Sequence, residues 1–186
     1  MDQCNGELRY CFRSDISAHP GNNAYLSKYL EEALQLGLKL IRCPRNGGLS
    51  NPDIDESYFV QQDAASSRAR NEVYAKIGRS IEARGCGIHH IKEIAKKYTE
   101  PNEHWTKGLK VAPSSEDKAI AKAIAEWADG DSMAAHIAYG LDYFCTRDFG
   151  KSGGSKSILS QANREWLKTT YAVQFTIPEE LAVIIG

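Results

Sequence analysis

The stretch spanning residues 129–150, DGDSMAAHIAYGLDYFCTRDFG, constrains the fold more than any other part of the chain. Asp129, Gly130 and Asp131 read as the start of a helix, with an acid or Ser132 as its N-cap. Met133, Ala134, Ile137 and Ala138 follow at helical spacing, and Gly140 is placed to end the run. Residues 141–146 (LDYFCT) form a short apolar run rich in strand formers, bounded by Gly140 and Arg147. The order is therefore acid, helix, strand, acid. In an open parallel sheet, ligands bind beyond the carboxyl ends of the strands, and Asp148 falls at such an end. A helix that runs back antiparallel to the strand would bring Asp129 or Asp131 towards Asp148. Carboxylates gathered at one sheet edge repel one another unless a cation or shared protons relieve them, and a hard divalent ion with oxygen ligands does so economically.

The residues resemble the C-terminal half of a PIN domain, the metal-dependent nuclease fold of many toxin ribonucleases in toxin–antitoxin pairs. That family carries an Asp at the head of a small-residue helix, then a Gly, an apolar strand and a T-x-D turn. Here these are Asp129 or Asp131, Gly140, Asp142-Tyr143-Phe144-Cys145 and Thr146-Arg147-Asp148. Spacing to Gly140 favours Asp129, and N-cap chemistry favours Asp131. The family also closes with a strand running into a Pro-Glu-Glu-Leu step, matched by Phe175 to Leu181. The resemblance covers roughly the last third of the chain and is weak over the first hundred residues. It implies a three-layer α/β fold, a central parallel sheet flanked by helices.

A chain of 186 residues without repeats, low-complexity segments or long linkers is expected to be a single domain, residues 1–186, large enough for its own core. No apolar run approaches the ~18 residues of a membrane span. The first ten residues have neither a basic n-region nor an apolar h-region, so a cytoplasmic protein is expected. Five widely spaced cysteines contain no C-x-x-C pair, which speaks against structural zinc and a disulfide framework. The formal net charge is −1, so nothing global advertises nucleic acid.

At the N-terminal end, residues 8–12 (LRYCF) read as a strand, and a helix carrying Leu26, Tyr29, Leu30, Ala33 and Leu34 leads through Gly37 to a second strand, residues 38–43. That order predicts a parallel βαβ unit. Asp15 is the candidate for the first acid of the resembled family. It falls a little later than the family pattern places it, with Arg13 nearer that slot, and an Asx turn leaving the strand explains Asp15 equally well. A second acid is expected among Asp53, Asp55 and Glu56, each of which is also an ordinary residue for a solvated helix start.

Residues 64–84 read as a helix with Val73, Ile77 and Ile81 on its apolar side, and a second helix follows around Ile88, Ile91, Ala95 and Tyr98. Residues 65–98 hold eight basic residues against three acidic ones. Such a face suits a phosphodiester track, with Arg79 and Arg84 its expected contacts, although charge runs on helices are more often solvated faces. Residues 99–113 read as a polar connection and a further helix starts at Ser114 or Ser115. Towards the end come a helix over residues 157–167, a strand over 172–177, and a helix opened by Pro178 with Glu179 and Glu180 in its first turn.

The family resemblance implies an endoribonuclease using Mg²⁺ or Mn²⁺, with Asp15, Asp129 or Asp131, and Asp148 as metal ligands and catalytic acids. Thr146 would hydrogen-bond within the cluster on the substrate side. RNA and an antitoxin-like protein are the implied partners, and a homodimer is left open. The rival reading is a PIN-like module that has lost its first acid and binds RNA or protein without cleaving. An unrelated doubly wound domain binding a small molecule is a third, set back by the lack of a glycine-rich phosphate loop.

Overall fold

The computed structural model describes residues 9–10, 31–32, 35–41, 57, 59–151 and 154–185. Asp15, Asp53, Asp55 and Glu56 lie outside these residues, as does Arg13. The described chain is mixed α/β and mostly helical, with its strands paired in parallel.

Strands β1 (Arg9–Tyr10) and β2 (Lys39–Leu40) pair in parallel, Arg9 opposite Lys39 and Tyr10 opposite Leu40. This is the pairing expected of the N-terminal βαβ order. Gly37, at φ 76°, turns the chain into β2 in a conformation that L-residues avoid. A parallel bridge between Leu40 and Phe59 extends the edge, with Val60 N–H donating to the Leu40 carbonyl at 2.9 Å.

Helix α1 (Ala64–Ala83) is capped by Asp63, whose carboxylate accepts from Ser66 N–H at 2.9 Å. Its buried residues are Tyr74, Ile77 and Ile81. Val73, expected on that stripe, is 45% exposed. The reason is geometric: steps of three and four from Tyr74 track a 3.6-residue turn, whereas steps of four from Val73 drift off it. After a glycine corner comes α2 (His89–Lys96), which buries Ile91 and Ala95. The segment expected as a polar connection contains a short helix, α3 (Thr106–Val111), seated by Trp105 and Leu109 against Ile91 and Trp127.

Helix α4 (Asp117–Ala138) corrects the expected layout most. Its 22 residues run without interruption through Asp129, Gly130 and Asp131, which lie inside a helix and not at its start. Ser132 caps nothing; its hydroxyl donates to the Ala128 carbonyl one turn back, at 2.8 Å. Gly130 is a packing residue. A Cβ built there would stand 2.9 Å from Gly87 Cα, so the glycine lets α4 cross the corner after α1 at close range. At the far end Gly140 (φ 61°) closes the helix as expected, with Leu141 N–H donating to the His136 carbonyl at 3.1 Å.

Strands β3 (Tyr143–Cys145) and β4 (Gln174–Thr176) form the second parallel pair, with Phe144 opposite Phe175. Between them α5 (Gln161–Tyr171) starts four residues later than the expected 157–167, because Ser157 belongs to a preceding turn in which its hydroxyl accepts from Leu159 N–H. Helix α6 (Pro178–Ile185) opens on Pro178 as expected. Glu180 reaches back to the Ile177 N–H at 3.4 Å and accepts from Thr176 Oγ1 at 3.2 Å, as an N3 acid does in a capping box. One core joins Tyr74, Ile77 and Ile81 of α1 to Met133, Ala134 and Ala135 of α4 and to Ile158, Leu159, Leu167 and Val173, with Phe144 and Phe175 packed against it.

Candidate functional site

The carboxyl edge of the β3–β4 pair carries the Thr146-Arg147-Asp148 turn. Thr146 N–H continues the ladder to the Thr176 carbonyl at 2.9 Å, and its hydroxyl then accepts from Asp148 N–H at 3.0 Å. Asp148 is exposed. One of its carboxylate oxygens, Oδ1, accepts from Gly150 N–H at 2.7 Å, which sets the direction of the side chain. Gly150 sits at φ 66° and is buried; a Cβ there would come within 2.6 Å of Ser160 N, so the turn is pressed against the start of α5. Arg164 on α5 donates from one terminal nitrogen to the Asp148 carbonyl and from Nε to the Leu159 carbonyl, the latter at 2.9 Å. Its guanidinium carbon lies 4.7 Å from the Phe149 ring centroid and 4.5 Å from that of Phe175. Desolvation there lowers the Arg164 pKa, and the negative charge of Asp148 acts in the opposite sense.

Arg147 points the other way and pairs with Glu179 at the start of α6. The pairing raises the Arg147 pKa and holds the Glu179 carboxyl below its usual range. Both side chains are well exposed, so the pair counts for little energetically. Burial pushes the neighbouring Cys145 thiol up.

The two acids expected to join Asp148 sit in the body of α4. Asp131 is buried, at 3% exposure, and Asp129 is half-buried. Among the described residues no group of three or more His, Cys, Asp or Glu side chains stands close enough together to hold a metal ion. The donor chemistry at Asp148 suits Mg²⁺ or Mn²⁺ in kind, a hard carboxylate oxygen at a sheet edge, but the described residues alone do not supply a full set. Asp15 is the remaining expected acid and lies outside them.

The basic face of α1 and α2 is much reduced once its partners are drawn in. Lys92 pairs with Glu82, Lys96 with Glu93 and Lys97 with Glu116. Arg70 donates to Gln62 and lies over the Tyr139 ring. Arg84 donates twice to Asn163 Oδ1, at 3.0 and 3.1 Å, and covers the Trp166 ring at 4.4 Å. Asn163 in turn donates to Ser157 O at 2.8 Å and to Cys86 Sγ at 3.2 Å. Arg84 therefore ties α1 to α5. Arg68, Lys76 and Arg79 are left as the exposed cations of α1.

Three residues of interest carry no motif. Arg164 is one. Glu126 on α4 is only 7% exposed and its Oε2 has no hydrogen-bond partner among the described residues. Burial raises the pKa of Cys86, which is fully buried; the charge of Arg84 opposes that shift and the charge of Glu126 adds to it. The signal for Glu126 was present in the sequence: it lies three residues after Ala123 and seven before Met133, on the buried side of α4. His136 is also buried there, edge-on to Phe144 at 5.4 Å, and its pKa falls to about 4, chiefly by desolvation. No protein-family model matches the chain, and neither curated proteins nor solved structures give a significant match.

Proposed function

We propose that the chain is a metal-dependent endoribonuclease of the PIN type, acting on RNA and held in check by an antitoxin-like protein. The observation that carries the proposal is the T-x-D turn at the carboxyl edge of a parallel strand pair, with the Asp148 carboxylate exposed and held in one direction. On this reading the two strand pairs belong to one central sheet, with helices on both faces in three layers. Asp148, Asp131 or Asp129, and Asp15 would hold Mg²⁺ or Mn²⁺. When bound, such an ion lowers the pKa of a water and offsets charge on the leaving oxygen. The chain's own part is to orient and neutralise. Asp148 presents an exposed carboxylate, the Thr146 hydroxyl holds the backbone beneath it, and Arg68, Lys76 and Arg79 offer a path for RNA phosphates. Arg84 stays in place as a tie between helices, so Arg79 is the better contact of the two arginines first expected there.

A second reading is favoured by the burial of Asp131 within α4. It is a PIN-like module that binds RNA or a protein partner without cleaving. The experiment that separates the two is an RNA cleavage assay with Mn²⁺. Cleavage by the wild type, abolished in Asp15→Ala and in Asp148→Ala but kept in Arg13→Ala, supports the nuclease. Absence of metal-dependent cleavage in the wild type, with activity appearing in Arg13→Asp, supports the module.

A further inference from the structure

We infer that Arg164 is the positioning residue of the Asp148 edge: it clamps the backbone of the T-x-D turn to α5 and thereby fixes where the Asp148 carboxylate points. The inference rests on the nuclease reading only for the use to which Asp148 is put. Four contacts build it. Arg164 donates to the carbonyl of Asp148 itself. Its Nε donates to Leu159 O, so one rigid guanidinium spans the post-strand turn and the turn that opens α5. Phe149 and Phe175 lie against the same guanidinium, which holds the plane that makes both hydrogen bonds reachable at once.

The peptide pinned by Arg164 links Asp148 to Phe149, and the next amide along, Gly150 N–H, is the donor to Asp148 Oδ1. If that peptide rotates, the Gly150 N–H leaves the carboxylate and the side chain is free to swing. Gly150 cannot relieve this by moving inward, since Ser160 N and Leu159 C block that side. Thr146 Oγ1 holds only the near side of the turn, through Asp148 N–H. The far side depends on Arg164. A lysine could meet one carbonyl but not both, because it lacks the planar fork.

The test compares wild type, Arg164→Met and Arg164→Lys by amide hydrogen exchange and by calorimetric titration with Mn²⁺. In Arg164→Met, exchange at Gly150 should accelerate by about tenfold or more, with the α1 amides of Ile77 and Ile81 unchanged. Mn²⁺ affinity should fall by roughly tenfold to a hundredfold, the usual cost of removing a group that orients a ligand. Arg164→Lys should fall between. Unchanged Gly150 exchange in Arg164→Met overturns the inference. Should that variant not fold, Arg164→Lys with wild-type Gly150 exchange and wild-type Mn²⁺ affinity overturns it. A wild type that binds no Mn²⁺ overturns the nuclease reading instead, and the Gly150 exchange then decides the role of Arg164 by itself.

Discussion

Acid should weaken this fold through one buried ring. His136 lies in the last turn of α4, buried and edge-on to Phe144, and its pKa is about 4 against 6.5 for a free imidazole. Desolvation is the main cause, and the charge of Asp142 offsets part of it. Because the folded pKa lies below the unfolded one, the unfolded chain takes up the proton first. Stability is therefore intact above pH 6.5, declines as the pH falls, and stops declining through this group near pH 4. Each pH unit in that window costs about 1.36 kcal/mol, so the full loss is roughly 3 kcal/mol, a large share of an ordinary domain's stability of about 5–15 kcal/mol. Urea unfolding followed by tryptophan fluorescence at pH 7.5, 6, 5 and 4 would measure it. The same series in His136→Gln, which has no group to titrate there, isolates the histidine from the carboxylates. The wild type should lose about 3 kcal/mol more than the variant between pH 7.5 and 4. Parallel curves for the two proteins would refute the claim that this ring is buried and neutral.

Two backbone positions give further tests. Gly130→Ala should lower stability by up to about 2 kcal/mol in urea unfolding: the methyl would meet Gly87 Cα at 2.9 Å, an overpacking cost of about 1–3 kcal/mol set against the roughly 1 kcal/mol gained in helix propensity. A stabilised variant would mean the α1–α4 crossing is looser than described. Ala172, exposed and at φ 58° where α5 ends, occupies the left-handed conformation that glycine adopts freely. Ala172→Gly should therefore raise the midpoint of thermal unfolding, by up to about 1 kcal/mol in stability; a drop in midpoint would contradict the strain assigned to that cap.

The elements that were legible in the sequence are those set by local chemistry. Gly140 and Gly37 stop the chain where a positive φ is needed, and Pro178 with Glu179 and Glu180 opens a helix by its own capping logic. The parallel order of the strands followed from helices lying between them. What was not legible depends on distant contact. Asp-Gly-Asp reads as a helix start because its residues are caps and breakers, yet Gly130 is there to admit Gly87, some forty residues earlier. The helix over Thr106–Val111 contains a glycine and two lysines, and only its seat against Ile91 and Trp127 makes it stable. Arg84 and Arg164 look like surface cations in sequence. One is spent on Asn163 and Trp166, the other on the backbone of the Asp148 turn. Thr146 and Asp148 themselves were legible, since a T-x-D turn after an apolar strand forms its own hydrogen bonds.

The proposal that Asp148 is a metal-binding carboxylate can be decided by calorimetric titration of Mn²⁺ into wild type and Asp148→Asn. The substitution keeps an oxygen for the Gly150 N–H and removes the charge that would hold a hard cation. The wild type should show a site whose affinity falls at least about tenfold in Asp148→Asn, with unchanged thermal stability in the absence of metal. Equal Mn²⁺ binding by the two proteins, or none by the wild type, would contradict it.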